Sequence, residues 1–192
     1  MSVAAVRYNF TGALVSQVAI NIMFALYSYW TRDVHDKDVG ETATYTLLIG
    51  VAELMGIVLL SQFGKGRWLG LYSTVIISLA VSGAVALLAG VLGGYTFEGG
   101  LAGYMLMFLA AEYSTVGGIA LVREIAPAKA LLPALGFYYQ GMSIGRTIAA
   151  LASPLFWEHY PELLWAGVWS ASVFVLAIAL QLRGNFLHEK RA

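Results

Sequence analysis

Three side chains in this sequence can do charge chemistry in surroundings that otherwise contain almost none: Glu53, Glu112 and Arg146. Each lies in the middle of a long apolar run, and on insertion scales each costs about 2.5 to 3.5 kcal/mol at mid-bilayer, so none is expected to face lipid singly. Together they carry a charge of −1 if all are ionised, which leaves one acid without the arginine and able to carry a proton. Two readings follow. In one, the three form a proton-coupled site in which Arg146 orients an anionic solute or neutralises a glutamate. In the other, they form a structural ion pair that locks the second, fourth and fifth spans together. Gln17 and Asn21, four residues apart and so on one face of a helix, suit the wall of a watery cavity or hydrogen bonds between helices. Tyr138, Tyr139 and Gln140 are further candidates, with Tyr139 the favoured lining residue. Because consecutive helical positions point apart, at most one or two of the three can face a cavity.

The elements that must position these groups are legible from the apolar runs. Of 192 residues, 59% are hydrophobic and 11% are charged, whereas an ordinary soluble domain has roughly 45 to 50% and about 25%. Runs of the length that crosses a bilayer, about 17 to 25 residues, fall at 9–30, 42–63, 68–93, 101–122, 134–157 and 163–182. They predict an all-α polytopic membrane protein, a single domain over 1–192 with six transmembrane helices and the lipid bilayer as its solvent. The runs do not alternate, and an open sheet edge is not viable in hydrocarbon, so strands are disfavoured. The first span is too long to be a cleaved leader and is expected to stay.

Charge placement orients the bundle. With the N-terminus inside, Arg7, Lys65, Arg67, Arg123, Lys129, Arg183, Lys190 and Arg191 are cytoplasmic and only Arg32 and Lys37 lie outside, as the positive-inside rule requires. Counting the acids, the inner side carries +6 and the outer side −5, although the whole chain sums to zero. That pattern predicts a bacterial-type cytoplasmic (inner) membrane location with both termini cytoplasmic. Tyr29, Trp30, Trp68, Tyr72, Tyr95, Trp157, Tyr160 and Trp165 sit near span ends, where interfacial anchors are expected. Gly141, Gly145, Ala149 and Ser153 recur every four residues and predict a flat ridge for close helix packing.

Other chemistries are excluded in turn. With no net charge there is no global field for a nucleic acid. The absence of cysteine and the wide separation of His35, His159 and His188 leave no zinc site. Paired glycines lack a preceding strand and a following Lys-Ser/Thr, so no phosphate cradle is indicated. No membrane serine has a histidine and an acid beside it, so an enzyme is not expected, and neither a cofactor nor a metal is called for. Asp33, His35, Asp36, Asp38 and Glu41 could hold a hard cation weakly, but a solvated outer loop explains them better.

An aromatic-rich first span, a Gly64-Lys65-Gly66-Arg67 turn after the second, Arg123-Glu124-Ile125-Ala126-Pro127 after the fourth, and a glycine-rich fifth leading to Ser153-Pro154 follow one another along the chain. In that order they resemble one half of a major facilitator superfamily transporter, and its C-terminal half more than its N-terminal one. It covers roughly residues 8 to 185. The family's cytoplasmic signature would run from Ile57 to Gly66, with Gly64, Lys65 and Arg67 as loop-motif residues. Ser61 replaces its aspartate and Gly66 its last basic residue, while Ala149 stands where the antiporter motif has a glycine. The resemblance implies two inverted three-helix repeats and a solute site between two halves near mid-membrane. It implies a partner as well: a second half-transporter, as a homo- or hetero-oligomer, or a larger membrane complex. The expected function is half-size secondary transport of a small solute by alternating access. The alternatives are an accessory or assembly subunit that has lost the cycle, and a piece of a twelve-helix protein.

Overall fold

The computed structural model describes residues 3–63 and 70–189, and they form six long helices. These are α1 (Val3–Tyr29), α2 (Val39–Phe63), α3 (Leu71–Gly93), α4 (Phe97–Ile125), α5 (Leu131–His159) and α6 (Leu163–Glu189). A wide π-type turn over Trp30–Val34 prolongs α1, and a short 3-10 turn, Ala128–Ala130, precedes α5. The expected spans fall within these helices to within three residues. Most of the helices run further than the apolar segments, because polar residues such as Thr96, whose hydroxyl accepts from Gly99 N at 3.1 Å, cap them from outside the run.

Among the described residues, five helical segments are long and apolar enough to cross a membrane: Arg7–Val34, Val39–Gln62, Leu71–Gly93, Phe97–Ile125 and Leu163–Gly184. The sequence suggests six. The exception is α5, which at 29 residues is long enough but carries Gln140, Ser143, Arg146 and Thr147 among its apolar residues. Outward-facing Leu47, Leu54, Val58, Leu132, Leu151 and Leu155 are all exposed, an apolar surface that suits a hydrocarbon surrounding and not water.

Packing follows one pattern. The helices lie against one another in the order α2, α4, α3, α6, α1, α5, and α1 also meets α4 while α4 meets α5. Exchanging α1 with α4, α2 with α5 and α3 with α6 turns this order into its own reverse, so the main contacts map onto one another. The order of the main contacts is thus the same for the triplets α1–α3 and α4–α6, a likeness that the sequence does not make visible. Close approach is set by glycines. A Cβ on Gly167 of α6 would lie 2.6 Å from the Ala86 carbonyl oxygen, and one on Gly103 of α4 would lie 2.6 Å from Ala89 Cα of α3, so only glycine permits these crossings.

One end of the bundle holds an aromatic core. Trp30 is fully buried, donates from Nε1 to the Gly93 carbonyl at 3.2 Å, and stacks on Phe97 with centroids 5.3 Å apart. Trp157 is buried too and donates to Asp33 Oδ2 at 3.2 Å. These two tryptophans are therefore core residues and not interfacial anchors: the wide turn after α1 folds Trp30 inward under α3 and α4. Tyr95, Tyr160 and Trp165 remain exposed, as anchors would be. Trp68 lies outside the described residues.

Candidate functional site

A cleft of about 200 Å³ opens near the middle of α1, α2, α4 and α5, lined by Gln17, Ile20, Asn21, Phe24, Glu53, Phe108, Ala111, Glu112 and Arg146. Two helices supply most of it through the same spacing. Gln17, Ile20, Asn21 and Phe24 on α1 fall at positions i, i+3, i+4 and i+7, as do Phe108, Ala111, Glu112 and Thr115 on α4. Each set makes one stripe on its helix. Phe24 and Phe108 meet edge to face at 5.6 Å and form an apolar wall.

The flanking helices are brought in by small residues. The predicted ridge on α5 packs on α1: a Cβ on Gly141 would sit 2.9 Å from the Phe10 carbonyl oxygen, and one on Gly145 would run into the Leu14 carbonyl and lie 2.9 Å from Gln17 Cβ. Arg146, next in the chain, is thereby delivered to Gln17. On the other side, a Cβ on Gly56 of α2 would meet the Leu109 carbonyl oxygen of α4 at 2.5 Å and Glu112 Cβ at 3.5 Å. That approach sets Glu53, one helical turn earlier, beside Glu112. In both crossings a glycine from the second helix of one triplet sits on a leucine carbonyl in the first helix of the other.

Gln17 is the hub of the hydrogen bonds. Its Oε1 accepts from Arg146 Nε at 3.0 Å and from Asn21 Nδ2 at 3.1 Å, and its Nε2 donates to Thr115 Oγ1 at 3.2 Å. Asn21 Nδ2 also reaches the Gln17 carbonyl at 2.9 Å, and the Thr115 hydroxyl donates on to the Ala111 carbonyl at 3.0 Å. The chain of bonds runs α5 to α1 to α4. Because a guanidinium has donors only, the Gln17 amide must turn its oxygen toward Arg146 and its nitrogen toward Thr115.

The expected ion pair is not formed. Among the described residues the salt bridges are Arg32–Asp33 and Lys37–Glu41, so neither Glu53 nor Glu112 comes within 4.0 Å of an Arg146 nitrogen. The lock between helices is instead the neutral Gln17 amide, which the close α1–α5 crossing brings to the arginine. Both glutamates are half-buried and Arg146 reaches the open side of the cleft.

Of the residues singled out from sequence, Glu53, Glu112, Arg146, Gln17 and Asn21 converge on this cleft. Tyr139 does not line it. It lies seven residues before Arg146, on the same face of α5 but two turns away, and is exposed. Tyr138 is buried, with its hydroxyl where a Cβ on Gly118 of α4 would be. Gly64, Lys65 and Arg67 lie outside the described residues. Thr115, Ile20, Phe24, Phe108 and Ala111 were not anticipated. The signal for them is the i, i+3, i+4, i+7 spacing around Asn21 and Glu112.

In the acidic segment between α1 and α2, two of the acids bond to the backbone. Asp38 Oδ1 accepts from Glu41 N at 2.7 Å and Glu41 Oε2 accepts from Asp38 N at 3.2 Å, a reciprocal cap at the start of α2. The His35 ring packs edge-on against Trp30 at 4.8 Å. Among the described residues no cluster of three metal-ligating side chains occurs.

No protein-family model matches this chain, and neither the curated proteins nor the solved structures include a significant match to it.

Proposed function

We propose that the chain is one half of a facilitator-type secondary transporter that moves a small solute by alternating access, with a second half, the same or different, closing the open side of the cleft. Supporting this is the packing of two helix triplets whose main contacts map onto one another on exchange. Three spans per triplet would reverse the second relative to the first, which is the inverted-repeat plan of such transporters. The observation that carries the reading is the set of mid-span charges, Glu53, Glu112 and Arg146, that line one cleft and form no salt bridge among the described residues. A structural role would pair them, whereas a transport cycle needs them to exchange partners, and a proton on one glutamate would couple the cycle to a gradient. In this reading α5 is a sixth span. Its 29 residues cover about 43 Å at 1.5 Å per residue, more than the roughly 30 Å hydrocarbon core. By the positive-inside rule, the basic loops support cytoplasmic termini in a bacterial-type inner membrane.

The chain has no cysteine, so single cysteines can be placed without background. Asn21→Cys and Phe24→Cys, in membranes containing the native assembly, should react with an impermeant maleimide from either side, one side at a time. Labelling from one side only, under every gradient applied, rejects alternating access.

One observation favours an accessory subunit docked on a larger membrane complex instead. Ser61 stands at the gating-aspartate position of the family, and its hydroxyl turns back to the Val58 carbonyl at 2.7 Å, so the family's gating ion pair has no acid there. Stable co-purification with a larger complex, together with a cleft closed to both reagents, is the outcome that reading requires.

A further inference from the structure

The charges of the cleft differ in how they are held, and that difference specifies a ligand. Arg146 uses Nε on Gln17, which fixes the guanidinium plane. Among the described residues its two terminal Nη nitrogens make no hydrogen bond, so a bidentate edge is presented to the cleft. Such an edge matches a carboxylate. In the same cleft Glu53 and Glu112 carry four oxygens with no cationic nitrogen within 4.0 Å among the described residues, acceptors suited to an ammonium group. Ile20, Phe24, Phe108 and Ala111 supply the apolar part of the lining. The volume of about 200 Å³, at about 30 Å³ for each water in the liquid, admits a solute of on the order of seven to ten heavy atoms.

We propose that this cleft binds a small zwitterion of the α-amino-acid type with an apolar side chain, its carboxylate on Arg146, its ammonium between Glu53 and Glu112, and its side chain against Phe24 and Phe108. The inference rests on the transport reading and names the substrate class of that site. A simple anion would gain the arginine but meet two carboxylates. A simple cation would gain the carboxylates and leave the Nη edge without an acceptor. Only a molecule carrying both charges satisfies every group, and since it adds no net charge, one proton on a glutamate leaves the filled site neutral.

The test uses the full chain, purified into lipid nanodiscs, with radiolabelled leucine as the probe and two shape-matched competitors: 3-methylbutylamine, which lacks the carboxylate, and 4-methylpentanoate, which lacks the ammonium. Leucine should bind saturably at micromolar to millimolar concentration, and each competitor should be about 10- to 100-fold weaker, the loss of a hydrogen bond to a charged group. Arg146→Gln should bring leucine down to the level of the amine. Glu53→Gln with Glu112→Gln should bring it down to the level of the acid. Arg146→Lys, which keeps the charge without the fork, should fall between native and Arg146→Gln, and serves if the glutamine variant is not monodisperse. Equal competition by either compound overturns the zwitterion. So does the absence of saturable leucine binding in a protein whose Asn21→Cys labelling still switches sides, and that result leaves transport standing. Leucine binding without switching does the reverse, keeping the site and removing the cycle.

Discussion

The two glycines Gly145 and Gly136 of α5 make a matched test of how that helix is held. At Gly145 a Cβ would run into the Leu14 carbonyl oxygen and stand 2.9 Å from Gln17 Cβ and 3.2 Å from the Leu14 carbonyl carbon. Two of these three atoms are backbone and cannot swing aside. At Gly136 nothing lies within 4 Å. Gly→Ala within a helix is worth about 1 kcal/mol in favour of alanine wherever it fits, while overpacking a close contact costs about 1 to 3 kcal/mol. Gly136→Ala should therefore stabilise by about 1 kcal/mol, and Gly145→Ala should lie between neutral and about 2 kcal/mol destabilising, a gap of about 1 to 3 kcal/mol. At about 2 to 4 °C per kcal/mol for a chain of this size, thermal unfolding followed by tryptophan fluorescence in detergent resolves that gap. The same displacement should lengthen the 3.0 Å contact from Arg146 to Gln17, so Gly145→Ala should also raise the reactivity of Asn21→Cys toward maleimide. If Gly145→Ala proves as stabilising as Gly136→Ala, the α1–α5 crossing described here is wrong.

Three further outcomes follow from single contacts. Trp30→Ala removes a fully buried ring together with its bond to Gly93 and its stack on Phe97, and should lower unfolding stability by about 3 to 5 kcal/mol, whereas an interfacial anchor at that position would lose far less. Asp38→Ala removes one side of the reciprocal cap of α2 and should cost about 1 kcal/mol, read as earlier thermal unfolding; no change would mean the cap is not formed. Gln17→Leu keeps the volume but strips the acceptor from Arg146 and the donor to Thr115. At about 0.6 to 2 kcal/mol per contact between membrane helices, it should destabilise by roughly 1 to 4 kcal/mol, and Gln17→Glu should recover part of the loss because it restores an acceptor for the arginine. Equal loss in both variants would show that the amide acts through packing alone.

Much of the site is visible in the sequence because its groups break a local rule. A charge in a twenty-residue apolar run is conspicuous without any structure, so Glu53, Glu112 and Arg146 stand out, and the helical spacing of Gln17 and Asn21 puts them on one face. Their partners are not visible in this way. The sequence suggests that the arginine pairs with a glutamate, since opposite charges are the cheapest neutralisation when distances are unknown. The fold places Gln17 against the arginine instead, because the Gly145 crossing sets the α1–α5 register and brings the amide within 3.0 Å of Nε. Tyr139 is on the predicted face of α5 but too far along the axis to reach the cleft, a distance that helical periodicity does not encode.

What the sequence suggests by itself is set by transfer free energy summed along the chain: an all-helical polypeptide with six apolar runs, of which the helices among the described residues bear out five as long and apolar enough to cross a membrane, and a small-residue ridge on α5. These properties are local, and the cost of unpaired backbone in hydrocarbon leaves little choice. Tertiary structure alone decides the order α2, α4, α3, α6, α1, α5, the burial of Trp30 away from the interface, and the choice of an amide over a carboxylate as the arginine's partner. In an apolar surround the hydrophobic term is nearly the same for every helix pairing. The arrangement is therefore selected by where glycines let backbones touch and by which few polar groups those touches bring into reach.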